Sequence, residues 1–310
     1  MKLVIQIPAW NEEASLGPTL AGLPREVAGF SEVEVLVIDD GSTDATAEVA
    51  RRHGATVVRL PLHGGLARAF SAGLEQALRR GADVIVNTDA DGQYDPAGIP
   101  ALVAPILAGQ ADMVLGDRGV ATLRHFSPTK RWLQRLGARV VTLLSGVPVR
   151  DATTGFRAFS RAAAARLNCF DTFTYTLETL IQAGQAGMAV QSVPITASPT
   201  SRPSRLFRSN AAYVARSLAT LLRLVFLYRP LRSFLLLAAV CLAAGTVLTL
   251  RFLYFFLTGI SPAGHLQSLI AAAVLDITGV QLVVLGILAD LTAVNRRLLE
   301  EARARERERR

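Results

Sequence analysis

The chain has 310 residues, 51% hydrophobic and 19% charged, with a formal net charge of +8. Its mean hydropathy of +0.34 is too positive for a protein soluble throughout and points to a membrane-attached globular protein. The basic excess gathers between residues 202 and 232 and after 295, beside the apolar runs and without interleaved aromatics, which favours membrane surface and phosphate and excludes nucleic acid.

Only Cys169 and Cys241 carry thiols. They are too few and too far apart for a disulfide framework or a zinc site. The chain begins with an apolar run that meets Pro8, Asn11 and acids at once, so it reads as a β-strand and not as a signal peptide.

Runs at 3–7, 33–38, 56–60, 84–87 and 113–115 have the composition of buried strands, and helical patterns at 45–52 and 66–80 separate them. Such alternation predicts an α/β domain over residues 1–203, with a mostly parallel sheet covered on both faces. Ligands of such sheets sit beyond the carboxyl ends of the strands.

Residues 204–230 come next. Ala211, Ala212, Val214, Ala215, Leu218, Leu221, Leu222 and Val225, interspersed with Arg208, Arg216 and Arg223, describe an amphipathic helix lying in a membrane interface. Residues 231–294 hold two apolar stretches, 233–258 and 266–289, each long enough to cross a hydrocarbon core of about 30 Å. Arg251 and Asp276 interrupt them, and a structural pair between the two is expected.

The connector at 259–265 has no Lys or Arg. Arg223, Arg229 and Arg232 precede the first span, and Arg296 and Arg297 follow the second. By the positive-inside rule this is an integral membrane protein with its sheet domain and C-terminus cytoplasmic. The mixed-sign tail at 295–310 reads as a solvated helix end or as disordered.

Chemistry concentrates at strand ends. The run Val84-Ile85-Val86-Asn87-Thr88-Asp89-Ala90-Asp91-Gly92-Gln93 delivers two carboxylates and an amide just past a buried strand. Acids one residue apart can both face a hard divalent cation that takes oxygen ligands, and an ordinary acidic turn fits the same pattern. A second apolar strand closes on Asp39-Asp40-Gly41-Ser42. Its carboxylate suits a base or ribose donor, while Ser42 or Thr43 suits a helix cap. A third end, Ile7-Pro8-Ala9-Trp10-Asn11-Glu12-Glu13, puts a ring and an acid on the same edge. No Gly-x-Gly-x-x-Gly follows the first strand, which removes a dinucleotide-binding oxidoreductase.

Taken together, Pro8-Ala9-Trp10-Asn11-Glu12, Asp39-Asp40-Gly41-Ser42 and Asp89-Ala90-Asp91-Gly92-Gln93 resemble the family 2 glycosyltransferases of the GT-A type. Leu115-Gly116-Asp117-Arg118, Arg131 and Asp151-Ala152-Thr153-Thr154-Gly155-Phe156-Arg157 extend the resemblance to the polyprenyl-phosphate sugar synthases. It covers residues 1 to about 205.

The resemblance implies roles. Pro8, Trp10, Glu12 and Asp39 would hold the nucleoside of a GDP- or UDP-linked sugar, with Ala90 beside it and Arg202 on the donor phosphates. Asp89, Asp91 and Gln93 would hold Mg2+ or Mn2+ and the diphosphate. Asp91, Arg118 and Arg131 form the expected catalytic set, the two arginines orienting the acceptor's phosphate. A polyprenyl phosphate acceptor is already anionic and needs no general base, so single displacement with inversion is expected.

Three positions depart from the family's pattern. Trp10 stands where Tyr is usual, His63 opens a loop that usually begins with Asn, and Asp117 replaces a common Ser. Alternative readings are transfer to another lipid or a polysaccharide, and a non-catalytic membrane adaptor with a degenerate nucleotide-binding domain. A hydroxyl acceptor would need a base, for which the sequence offers only Glu178 or Asp151.

Overall fold

The computed structural model describes residues 1–119, 128–149, 151–169, 175–198, 210–259 and 266–309. The chain divides into two compact units, Met1–Val214 with Glu300–Arg310, and Ala215–Leu299.

In the first unit the strands are β1 (Lys2–Ala9), β2 (Glu32–Asp39), β3 (Thr56–Arg59), β4 (Val84–Asn87), β5 (Met113–Asp117), β6 (Arg157–Ser160) and β7 (Val190–Pro194). They make one seven-stranded sheet of order β3-β2-β1-β4-β6-β5-β7. All neighbours are parallel except β6, which runs antiparallel to both β4 and β5. The helices are α1 (Glu13–Gly22), α2 (Thr46–Arg52), α3 (Leu66–Arg79), α4 (Ile99–Leu107), α5 (Pro128–Ser145), α6 (Arg161–Arg166) and α7 (Thr176–Gln185). The five expected strands and two expected helices are present, with bounds moved by a few residues at most.

Burial explains which runs became central. Leu3, Val4, Ile5 and Ile7 of β1 and Val84, Ile85 and Val86 of β4 are wholly enclosed. Continuous apolar runs of this kind belong to strands covered on both faces. Helix α3 turns Ala67, Phe70, Leu74, Ala77 and Leu78 inward, the spacing of one apolar helix face.

The β6 reversal matters most for function. Because β6 is antiparallel, its first residue, Arg157, pairs with Asn87 near the end of β4 and with Leu115 of β5. Residues 151–156 therefore arrive at the same sheet edge as the carboxyl ends of β1, β2, β4 and β5. That edge gathers every strand-end motif the sequence singles out.

The second unit holds the C-terminal part of α8 (Asn210–Tyr228), α9 (Pro230–Leu257) and most of α10 (Leu266–Arg309). Two of these, α9 and α10, are long and apolar enough to cross a membrane by length and composition. They approach each other over small residues. A Cβ at Gly279 would lie 2.6 Å from Leu242, and one at Gly286 would lie 2.9 Å from Phe234. The expected Arg251–Asp276 pair does not form among the described residues. Asp276 Oδ1 lies where a Cβ on Gly245 would be, only 2.1 Å away, whereas Arg251 is exposed. Asp276 is thus turned to the helix seam, and Arg251 to the outer surface.

The tail is helical to Arg309. Within the first unit Arg307 Nη1 donates to the carbonyls of Ala165 (3.4 Å) and Leu167 (2.9 Å), at the end of α6. Free carbonyls at a helix C-terminus are natural partners for a guanidinium.

Candidate active site

The acidic end of β4 rests on a buried polar ladder. Gln6 of β1 and Asn87 of β4 face each other in register, and Gln6 Nε2 donates to Asn87 Oδ1 at 2.9 Å. Asn87 Nδ2 donates to the Gly155 carbonyl (2.7 Å) and to the Tyr175 hydroxyl (2.9 Å). On its other side the Gly155 N–H donates to the Tyr94 hydroxyl at 2.9 Å. The Asn87 amide is satisfied at both ends and the Gln6 amide through its Nε2, whereas Gln6 Oε1 is buried without a partner among the described residues.

Asp89 sits on the peptide this ladder holds. A Cβ at Gly155 would lie 2.8 Å from both Asp89 carboxylate oxygens, so only glycine admits the carboxylate there. Desolvation and then the like charge of Asp91 push Asp89 up to about 7. Burial and then the charge of Asp89 push the Tyr94 phenol up to about 12, so it keeps its proton at neutral pH. Asp91 is exposed, and its Oδ1 accepts the Gln93 N–H at 2.9 Å. Ala90, between the acids, is buried, and its carbonyl accepts from Thr19 Oγ1 at 3.2 Å.

A buried carboxylate whose proton affinity a neighbouring carboxylate helps to raise suits a hard cation. Among the described residues no group of three or more His, Cys, Asp and Glu side chains could hold a metal. The oxygen-bearing side chains at 89–93 are Asp89, Asp91 and Gln93. That donor set fits Mg2+ or Mn2+ better than zinc.

Arg118 lies just past β5. Its Nε donates to Asp151 Oδ2 at 2.7 Å, and its Nη2 to Asp151 Oδ1 at 3.0 Å and Thr153 Oγ1 at 2.9 Å. This fork holds the guanidinium near Asp89, whose charge it favours, and leaves Nη1 without a hydrogen bond among the described residues. Burial works against the Asp151 charge, but the bonds to Arg118 outweigh it and hold Asp151 below the usual carboxylate range. Asp151 is thereby a poor base. The other candidate base, Glu178, is enclosed in α7. Arg131 lies in α5 with its side chain outside the described residues, and Arg202 lies outside them entirely.

Arg157 is fully buried, with no carboxylate hydrogen-bonded to it among the described residues. Four of its N–H donors are met by oxygens instead: Thr154 O (2.8 Å), Thr176 O (2.8 Å), Thr179 Oγ1 (2.9 Å) and Ala152 O (2.9 Å). It fastens the 152–154 segment to α7 and so fixes Gly155 from below.

The ends of β1 and β2 are laced together. The Asn11 N–H donates to Ser42 Oγ (3.0 Å), the Thr43 N–H to Asn11 Oδ1 (2.8 Å) and the Glu12 N–H to Thr46 Oγ1 (2.8 Å). Asn11 adopts a left-handed φ of 53° to make this crossing. Glu12 itself accepts from Ser15 Oγ. Pro8 is buried in β1.

Asp39 and Asp40 divide the labour. Asp40 Oδ1 accepts the Gly64 N–H (2.9 Å), and its Oδ2 accepts the Gly65 N–H (2.8 Å) and lies 2.8 Å from His63 Nδ1. This clamp presents His63 flat against Trp10, ring centroids 4.1 Å apart at 21°. The two aromatic departures from the family pattern are therefore in contact. Asp39 is wholly enclosed, its Oδ1 accepting the Ser42 N–H at 2.9 Å. Asp117 Oδ1 accepts the Gly119 N–H at 2.8 Å and shapes the turn after Arg118.

The structure brings Asp89, Asp91, Gln93 and Arg118 to one stretch of the edge and Trp10, Glu12 and Asp39 to the adjoining stretch. Gln6, Asn87, Tyr94, Gly155 and Asp151 were not singled out by sequence reasoning as supports. An amide at matching depth in each of two apolar strands is the signal that pointed to the ladder.

Comparison with known proteins gives a family and a fold. A family model described as "Glycosyl transferase family 2" matches residues 4–167. The polyprenol monophosphomannose synthase of Mycolicibacterium smegmatis is 31% identical over 210 residues, covering 63% of this chain and 77% of that protein. The undecaprenyl-phosphate mannosyltransferase of Micrococcus luteus is 30% identical over 208 residues, covering 63% and 83%. Among solved structures, glucosyl-3-phosphoglycerate synthase from Mycobacterium tuberculosis, in complex with Mn2+, UDP and glucosyl-3-phosphoglycerate, is alike in fold. Its TM-score is 0.54 at 22% identity, covering 73% of this chain and 78% of that one.

Proposed function

The chain belongs to glycosyltransferase family 2, and we propose that it moves a sugar from a nucleotide diphosphate to a polyprenyl phosphate, with metal dependence and inversion at the anomeric carbon. The observation that carries this reading is the Asp89 carboxylate, held on Gly155 beside Asp91 and facing the charge of Arg118. One edge thus offers both an anionic seat for a cation and a fixed guanidinium. The two relatives with polyprenyl-phosphate names support the acceptor class.

Asp89, Asp91 and Gln93 would hold Mg2+ or Mn2+, which when bound neutralises the leaving diphosphate as a Lewis acid. The structural neighbour's complex with Mn2+ and UDP supports that assignment. Trp10, Glu12 and Asp39 hold the nucleoside, with Pro8 and Ala90 shaping its floor. Nη1 of Arg118, without a hydrogen bond among the described residues, meets the acceptor's phosphate, and Asp151 keeps that nitrogen aimed by binding the rest of the fork. Arg131 and Arg202 join on the acceptor and donor phosphates. No general base is required, because the attacking phosphate oxygen is already anionic, and this agrees with the commitment of Asp151 to Arg118.

The two apolar helices anchor the enzyme where the lipid chain resides, with the catalytic unit and the C-terminus on the cytoplasmic face. The domain plan is a catalytic domain at 1–203, an interfacial helix at 204–230, a membrane hairpin at 231–294 and a tail at 295–310.

The test uses the full chain in detergent or nanodiscs, a panel of nucleotide sugars and a polyprenyl phosphate. The expected product is a glycosyl phospholipid identified by mass, with inverted anomeric configuration by NMR, lost on chelation and restored by Mg2+ or Mn2+. A retained configuration, or undiminished transfer in excess chelator, would overturn the mechanism.

A further inference from the structure

The chain leaves the first unit at Val214 and returns to it at Glu300. The returning residues are the last turns of α10, and they are held there. Ala304 is buried. Arg307, three residues on and so on the same helix face, donates through Nη1 to the carbonyls of Leu167 (2.9 Å) and Ala165 (3.4 Å). A helix end that only trailed into solvent would have neither feature.

Those carbonyls belong to the turn that leaves α6, and the next residue is gripped from the other side. The Asn168 N–H donates to Gln182 Oε1 at 2.9 Å, and the Asn168 carbonyl accepts from Gln182 Nε2. Gln182 is buried on α7, whose first turn supplies Thr176 O (2.8 Å) and Thr179 Oγ1 (2.9 Å) to Arg157. Tyr175, at the start of that helix, is wholly enclosed, stacks on Phe70 with ring centroids 3.9 Å apart and takes the Asn87 amide. Arg157 and Tyr175 are thus both anchored on α7, and both support Gly155, on which the Asp89 carboxylate lies.

We infer that the tail at 300–309 is a working part of the catalytic unit, and that Arg307 is a positioning residue that steadies the α6–α7 connection and, through it, the seat of Asp89. For what Asp89 holds, the inference rests on the proposed function. Energetic coupling over such a distance is carried by contiguous hydrogen bonds and packed side chains. Here the run passes from Arg307 through Asn168 and Gln182 to α7, and from α7 through Arg157 and Tyr175 to Gly155. Without the guanidinium the α6 exit is tied on one side only, and α7 loses a fixed neighbour.

Cys169, next to Asn168, reports on the hold directly. Burial pushes its thiol up to about 12, so it reacts when the segment opens. In the full chain in detergent, with Cys241→Ser leaving a single thiol, maleimide labelling of Cys169 is expected to be about fivefold to tenfold faster in Arg307→Met. Mn2+ affinity, read by electron paramagnetic resonance, is expected to fall about threefold to tenfold, with the unfolding temperature moved by only a few degrees. Arg307→Lys keeps a cation and a donor for the two carbonyls and is expected to recover most of both effects. Ala304→Asp, which lifts the same helix face while leaving Arg307 in place, is expected to reproduce them.

Labelling unchanged in Arg307→Met would overturn the inference, whatever the metal does. Faster labelling with Mn2+ affinity unchanged would also overturn it, because the tail would then hold α6 without reaching Asp89. The proposed function fails separately, if the unaltered chain binds no Mn2+ or transfers no sugar to a polyprenyl phosphate. Faster labelling in Arg307→Met and Ala304→Asp then still supports the tail's hold on the α6–α7 connection.

Discussion

The ends of β2 and β4 look alike in sequence, each an apolar strand that closes on two acids, yet they have opposite fates. At β2, Asp40 is consumed by three donors from the loop at 63–65, and Asp39 keeps one oxygen in reserve. At β4, Asp89 is buried beside Asp91, and desolvation first and the like charge second push it up to about 7. The difference teaches what an acidic strand end is for. In the proposed function Asp40 serves the loop that its donors come from, and the β4 pair serves a cation.

The largest expected effect breaks the β4 end. Asp89→Asn and Asp91→Asn remove the repulsion together with the cation seat, and either change should lower transfer by ~10³-fold. Thermal unfolding of the membrane-embedded protein should move little, because the lost charge was itself unfavourable in the folded state. A variant with wild-type turnover would mean that the β4 acids form a turn and nothing more.

Gly155→Ala tests the same seat without touching a charge. The new methyl would stand 2.8 Å from both Asp89 oxygens, so the carboxylate must shift by a fraction of an ångström to an ångström. A displacement of that size costs about 10² in rate. The check is Mn2+ affinity measured beside kcat: both should fall, with nucleoside diphosphate binding in the absence of metal unchanged.

How much of this was legible beforehand follows from where the information resides. Local period and composition marked β1 to β5, α2 and α3, because a doubly covered strand must be continuously apolar and a covering helix must carry one apolar face. Neither β6 nor β7 was marked. Arg157 and Ser160 make β6 look polar, and β7 alternates Gln191 and Ser192 with valines at the sheet's edge. The antiparallel insertion of β6 is a long-range event, and it alone explains why Gly155 meets Asp89 and why Asp151 meets Arg118. The acids, Trp10 and Arg118 could be named from strand ends. Their partners could not, since the Arg118–Asp151 fork joins residues 33 apart and the Asn87–Tyr175 bond joins residues 88 apart.

The smallest expected effect sharpens the β2 side of the comparison. Asp40→Asn keeps the shape but replaces one accepting oxygen by an NH2 group, so it keeps either the Gly64 bond or the Gly65 and His63 bonds. Losing one or two such bonds at a buried site costs about 1–3 kcal/mol of stability. Because the clamp serves the loop and not the reacting atoms, kcat should change by no more than about twofold to threefold while KM for the nucleotide sugar rises, as expected when a lost interaction is made equally in ground and transition states. His63→Ala should reproduce the KM change with a smaller loss of stability, since Gly64 and Gly65 keep their acceptors. A fall in kcat on Asp40→Asn as deep as that on Asp91→Asn would erase the distinction between the two strand ends and make Asp40 part of the reacting site.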